Sequence, residues 1–366
     1  MTTETSAEAG TGIVPPGRLG DPNMALRDDP RADPRMVAAL AAFGLDGPPE
    51  PVAVTAASPL AELRAWAAET EVGFEALFAG LGEGAPAVQG VVTETVRVPA
   101  RDGGEIQLYI HRPAEAAGPL PCVYHIHGGG MVLIGAAGPC YQLWRSELAA
   151  AGLVVVGVEF RNAAGKLGPH PYPTGLHDCA DGLRWVADHR AELGVSSIVL
   201  SGESGGANLC LSLTHLAKRE GWLGAIAGVY AQCPYIAGRE WSRPESPLAS
   251  LVENDGYFIS RDLFPVMTEL YDPGDANGAD PTCWPAEATM ADLAGMPPHV
   301  VSVNELDPLR DEGLAYYRRL RDAGVSVVGR VVPGTCHGAD VFFAVALPDV
   351  HAASLRDVSG FARSFG

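Results

Sequence analysis

Gly202-Glu203-Ser204-Gly205-Gly206 is where residue types and spacing in this sequence first suggest chemistry. An apolar run ending at Leu200 precedes it, and a helix start, Ala207-Asn208-Leu209, follows. A serine on a sharp strand-to-helix turn is presented for attack, and small residues are needed two before and two after it because the turn presses backbone against neighbouring strands. The helix that follows points its N–H groups and dipole at the same serine. G-x-S-x-G strings also arise by chance, so the flanking strand and helix carry the reading of Ser204 as a nucleophile.

A nucleophilic serine needs oxyanion donors, a base and an acid. Val123-Tyr-His-Ile-His127-Gly128-Gly129-Gly130 ends an earlier strand in a triple glycine. Acyl transfer builds negative charge on a carbonyl oxygen, and fixed backbone donors aimed at it lower the barrier. Gly129, Gly130 and Gly205 are the expected donors; the alternative is a phosphate-binding or merely tight glycine turn. His127 is expected to be a structural hydrogen-bonder of that loop. Asp307 lies just beyond the run His299–Asn304, where it could orient an imidazole and stabilise its charged form. Its rivals are Glu305, too near the strand's end, and Asp311 and Glu312, first-turn helix residues suited to the dipole. A bland role for Asp307 would be to cap the next helix. His337, in the loop after the last strand run, completes the order Ser…Asp…His and could move a proton from serine to a leaving group. The other nine histidines fall on strands, on helices or outside that loop. Cys336 beside it is expected to be packing.

These parts need a scaffold. From Thr93 onward the texture is that of short strands and helices in alternation. Thr93–Val98 and Ile106–His111 read as a hairpin around the turn Arg101–Gly104. Strands are expected at Cys122–His127, Val154–Phe160, Ile198–Gly202, Ile226–Gln232, His299–Asn304 and Ser326–Val332. Helices are expected at Tyr141–Ala151, Gly175–Leu193, Gly206–Glu220, Asp311–Ala323 and Leu347–Phe365. That alternation predicts an α/β fold with a mostly parallel central sheet and helices on both faces. Before it come residues 1 to about 35, read as a loosely ordered arm, and helical patterns at Pro34–Phe43 and Pro59–Leu81. More than sixty residues rich in Pro, Trp, Asp and Gly separate the strands ending at Gln232 and starting at His299, too many for a plain loop. The expected organisation is arm and cap helices over 1–90, core over 91–233, a cap insertion over 234–283, and core again over 284–366.

Composition narrows the function classes. The 366 residues carry a net charge of −19, a poor match for nucleic acid or anionic membrane. Seven cysteines (Cys122, Cys140, Cys179, Cys210, Cys233, Cys283 and Cys336) form no C-x-x-C, so zinc spacing is absent. Read as reduced, they suit a cytoplasmic protein. Met1–Gly10 has no signal-peptide pattern, and no run is long enough for a membrane span.

Together these motifs resemble those of the hormone-sensitive-lipase-like esterases, the bacterial family IV branch of the α/β hydrolases, over roughly residues 90–366. The triple glycine after His127, the elbow around Ser204 and Asp307-Pro-Leu-Arg-Asp-Glu-Gly313 carry the likeness. Asp28–Arg35, Phe74–Phe78 and Ser250–Tyr257 extend it, for one subgroup, to nearly the whole chain. The resemblance implies a carboxylesterase acting on short or medium acyl esters or a lactone, with no metal or organic cofactor. It also implies a helical cap over the site and a homodimer through the last strand. Two departures stand out. The commoner elbow is Gly-Asp-Ser-Ala-Gly, so Gly205 is expected to leave room in the pocket. Many relatives carry an aromatic residue where this chain has Met131, which softens that wall. Met131, Phe74, Phe78, Trp241, Tyr257 and Phe258 are candidate substrate contacts, each equally able to be ordinary cap core. The same catalytic set supports amide or N-acetyl hydrolysis, or acyl transfer. A ligand-binding protein on this scaffold would typically lack the histidine, and His337 is present.

Overall fold

The fold is that of a computed structural model, which describes residues 14–243 and 245–366. Eight strands form one sheet: β1 (Val91–Pro99), β2 (Glu105–Pro113), β3 (Leu120–Ile126), β4 (Val154–Glu159), β5 (Val195–Glu203), β6 (Gly228–Gln232), β7 (His299–Asn304) and β8 (Val327–Val332). Their spatial order is β1-β2-β4-β3-β5-β6-β7-β8. The β1–β2 hairpin and the β2–β4 pair are antiparallel, and all pairs from β4 to β8 are parallel. The expected α/β architecture is the observed one. The central strands β3, β5, β6 and β7 are buried along almost their whole length, as strands covered on both faces must be.

Parallel strands send all their carboxyl ends to one edge, and there the loops after β3, β5, β7 and β8 meet. Helices Gly205–Glu220 and Arg310–Asp322 make the β5–β6 and β7–β8 crossovers, and Pro348–Arg363, which follows β8, packs on β3, β5 and β6. The expected helix Gly175–Leu193 is two, Thr174–Asp188 and Arg190–Leu193, broken where His189 leaves helical backbone.

Two segments cover that edge. One is the helix Leu60–Leu81; the other runs between β6 and β7 and includes the helix Leu263–Tyr271. The two helices pack on each other. The first thirteen residues of the expected arm, including Met1–Gly10, lie outside the described residues. From residue 14 on, the expectation of a loose arm is corrected. Leu26 is fully buried, Arg31 bridges Asp29 to Glu253 of the β6–β7 segment, and the Tyr257 hydroxyl donates to Asp29 at 3.1 Å. The Pro, Asp and Arg that read as solvent-facing are an ionic latch between two distant parts of the chain.

Candidate active site

Ser204 leaves β5 with φ +57° and ψ −121°, a left-handed backbone that a serine adopts only under constraint. Its N–H donates to the Gln232 carbonyl at 3.0 Å, and its own carbonyl accepts from Tyr235 at 3.2 Å, so the turn is pinned from β6. The flanking glycines follow from contact geometry. β5 runs beside β3 with Gly202 level with Ile126. A Cβ on Gly202 would lie 2.5 Å from the Ile126 carbonyl oxygen, and one on Gly206 2.0 Å from it. Gly205 is equally confined, because a Cβ there would sit 2.7 Å from Gly130 N and Cα. The expected spare room at Gly205 is therefore absent; main chain of the triple-glycine loop fills it.

That same contact brings Gly130 alongside Gly205. Gly129 and Gly130 have φ of +92° and +62°, conformations that glycine adopts without strain. The Gly129 carbonyl accepts from Val132 and Leu133, closing a tight turn. Among the described residues, the N–H groups of Gly129, Gly130 and Gly205 have no protein acceptor. Gly128 N–H is already spent on Glu203 Oε1 at 2.8 Å and the Tyr141 hydroxyl at 3.1 Å. Glu203 is fully buried and also meets His125 Nε2 at 3.1 Å. It fastens the triple-glycine loop to the elbow, a job its neighbour Ser204 hides in the sequence. His127 is structural, as expected: its Nδ1–H donates to the Gly128 carbonyl at 2.9 Å and its ring stacks on Phe160. Burial pushes its pKa down to about 3, so it is neutral at ordinary pH.

On the far side, His337 Nδ1 lies 2.8 Å from Asp307 Oδ2, with Asp307 fully buried. The other oxygen, Oδ1, accepts from Leu309 N–H at 2.9 Å, so Asp307 both orients the imidazole and caps the following turn. Its rivals face elsewhere. Glu305 accepts from Gly334, Asp311 from Ser250, and Glu312 from Ile236 N–H and Trp241 Nε1. Asn304, not foreseen as a site residue, joins the two loops: it donates to Thr335 Oγ1 and Asp340, and accepts from Gly338 beside the histidine. Cys336 is buried and its thiol pKa is pushed well up by burial, consistent with packing.

Among the described residues, one group has metal-ligand spacing: Cys233, Asp307 and His337, with ligand atoms within 4.8 Å of one another. Burial, then the Asp307 charge, push the Cys233 thiol well above its usual pKa, whereas a metal needs the thiolate. The Asp307–His337 hydrogen bond already engages two of the three groups, so this set fits a metal poorly.

Ser204 and His337 open into one cavity of about 550 Å³, mouth included. Of the candidate substrate contacts, Phe74, Phe78 and Phe258 line it, with Leu263, Met267 and Phe342. Met131, Trp241 and Tyr257 are not among its lining residues. Met131 is buried with φ +62° behind the triple-glycine loop, Trp241 packs on Phe264 and donates to Glu312, and Tyr257 donates to Asp29. A serine, a paired imidazole, unspent N–H groups and apolar walls together can attack a carbonyl carbon and hold the resulting charge.

The family described as alpha/beta hydrolase fold matches residues 123–341. The chain is 32% identical over 268 residues to carboxylesterase NlhH of Mycobacterium tuberculosis (strain ATCC 25618 / H37Rv), which spans 71% of this chain and 79% of that protein. Esterase LipI of the same organism is 29% identical over 239 residues, 64% of this chain and 70% of its own. Among solved structures, brefeldin A esterase, a bacterial homologue of human hormone sensitive lipase, superposes with a TM-score of 0.93 at 46% identity over 95% of this chain and 98% of that one. Esterase Est22 gives 0.82 at 35% identity, over 93% and 99%.

Proposed function

The chain belongs to the alpha/beta hydrolase fold family and is a carboxylic ester hydrolase, and on that premise we propose that it works through an acyl-enzyme on Ser204. The supporting observation is that His337, 2.8 Å from Asp307, lines the same apolar cavity as Ser204, Gly129 and Gly130. His337 Nε2 takes the Ser204 hydroxyl proton as Oγ attacks the ester carbon. The N–H groups of Gly129, Gly130 and Gly205 stabilise the oxyanion, which matters most in a dry site. His337 then gives the proton to the departing alkoxide, and the alcohol leaves. Water repeats the sequence on the acyl-serine, with His337 again the base, and releases the acid. Asp307 holds the imidazole tautomer through its contact with Nδ1.

The substrates we propose are short to medium acyl esters or a lactone, with a bulky alcohol side held against Phe74, Phe78 and Phe258. The likeness to a relative named for brefeldin A supports including a lactone. Seven free, buried cysteines fit a reducing, cytoplasmic setting. Among the described residues, no helix is long and apolar enough to cross a membrane. The open edge of β8 exposes Val328 and Val331, which supports a homodimer through that strand.

Hydrolysis of a p-nitrophenyl ester chain-length series, with a macrolide lactone such as brefeldin A alongside, tests the reading. Ser204→Ala should lower kcat by roughly 10⁴-fold or more with the fold intact. Full activity in that variant would end the proposal.

A further inference from the structure

Glu71 sits in the middle of the helix Leu60–Leu81, yet its side chain is buried at 1% exposure. A carboxylate is costly away from water unless hydrogen bonds replace its hydration. One oxygen accepts from Ile134 N–H at 2.7 Å and the other from Lys166 N–H at 2.8 Å. Gly165 makes the second contact possible: a Cβ there would lie 2.7 Å from the carboxylate.

Both partners belong to the support of the triple-glycine loop. Ile134 closes the stretch Met131–Ile134, whose two ends hold φ of +62° and +61° without being glycine. For a β-branched isoleucine that conformation is a genuine strain. The stretch is fastened to Asn162–Lys166 by Ala163 N–H to the Met131 carbonyl at 3.0 Å and Ala164 N–H to the Val132 carbonyl at 3.1 Å. Inside it, Val132 and Leu133 donate to Gly129. Glu71 therefore grips both halves of the clasp that fixes Gly129. On the same helix, Phe74 and Phe78 follow at three and seven residues, one face of a 3.6-residue period, and both line the cavity with Ser204.

We propose that Glu71 is a positioning residue that couples the helix Leu60–Leu81 to the oxyanion donors, so that substrate contact at Phe74 and Phe78 raises turnover as well as affinity. The proposal rests on the reading of Gly129 and Gly130 as donors to an oxyanion formed on Ser204. Remote binding energy accelerates a reaction only when it is expressed in the transition state. A substrate that presses on this helix steadies the strained loop through one rigid element. Without Glu71 the two events separate.

The test compares Glu71→Ala and Glu71→Gln with the unaltered protein on p-nitrophenyl acetate and hexanoate. It also measures affinity for a trifluoromethyl ketone that mimics the tetrahedral adduct. Glu71→Ala should lower kcat about tenfold to a hundredfold while KM moves less than about threefold, since misplacing a catalytic group by about 1 Å costs on that order. Glu71→Gln, which keeps one acceptor oxygen, should fall between. The increase in kcat from acetate to hexanoate should flatten in both variants, and ketone affinity should drop in proportion to kcat/KM. If the alanine variant does not fold, the glutamine variant decides alone. An unchanged kcat, or a loss confined to KM, overturns the proposal. A fluorophosphonate control keeps the two levels apart. An unaltered protein that fails to react at Ser204 defeats the parent reading. Equal reaction rates of the unaltered protein and Glu71→Gln defeat only the role of Glu71.

Discussion

The floor and the roof of the cavity are built by different rules. In the floor, main chain packs against main chain: the end of β3 occupies the space of any side chain at Gly202 and Gly206, and the Gly130 backbone occupies it at Gly205. In the roof, side chain packs against side chain, with Phe74, Phe258, Leu263 and Met267 brought from two separate segments. Backbone against backbone has no slack, so a single methyl group is felt in full. Apolar side chains can repack, so their loss is graded.

Gly205→Ala sharpens that contrast most, because relatives of the resembled family commonly carry alanine there. Here the added methyl meets Gly130, and the triple-glycine loop must shift. We expect kcat to fall by roughly a hundredfold with little change in KM, measured by steady-state kinetics on a short ester. An unchanged kcat would show that the floor does have slack.

The roof should respond in two distinct ways. Phe258→Ala, in the cavity, should redistribute kcat/KM along an acyl-chain series by roughly tenfold, the scale of one or two methylenes in an apolar pocket. Trp241→Phe, outside it, should leave that series unchanged. It should instead cost about 1–3 kcal/mol in denaturant unfolding, because buried Glu312 loses one of its donors. A shifted chain-length profile in the Trp241 variant would break the distinction.

The smallest expected effect concerns the latch of the first described residues. Burial alone would raise the carboxyl pKa values of Asp29 and Glu253. Their bonds to Arg31, joined at Glu253 by Arg310, outweigh it and hold both below the usual carboxylate range. Groups depressed in the folded state add stability above their unfolded pKa and lose it as pH falls through the folded one. The latch should therefore hold fully above about pH 5 and weaken as the pH falls through 4 and below. The melting-temperature gap between the unaltered protein and Arg31→Gln, about 2 °C at pH 7, should close toward pH 3. A gap that widens in acid would contradict the latch.

Legibility in the sequence followed the same division. Ser204, Asp307, His337 and the triple glycine stood out because local backbone demands leave local marks: glycines at fixed offsets and residues just past strand ends. Strand placement was equally plain, since buried parallel strands are continuous apolar runs. Glu71, Glu203 and Asn304 were not legible, because each acts on backbone of a loop distant in sequence and no spacing announces it. The roof was half legible. An aromatic residue in a helix or loop looks the same whether it faces a cavity, as Phe258 does, or an internal partner, as Trp241 does. The latch was misread because Pro, Asp and Arg mark both solvent-facing chain and buried ion pairs.

The central claim is that Ser204, activated by His337, carries the acyl group. It is tested most directly by mass spectrometry of the protein after brief exposure to a fluorophosphonate, with peptide mapping of the adduct. One adduct per chain on Ser204, absent in Ser204→Ala and formed at least about a hundredfold more slowly in His337→Ala, is the predicted result. An adduct on another residue, or undiminished labelling without His337, would contradict it.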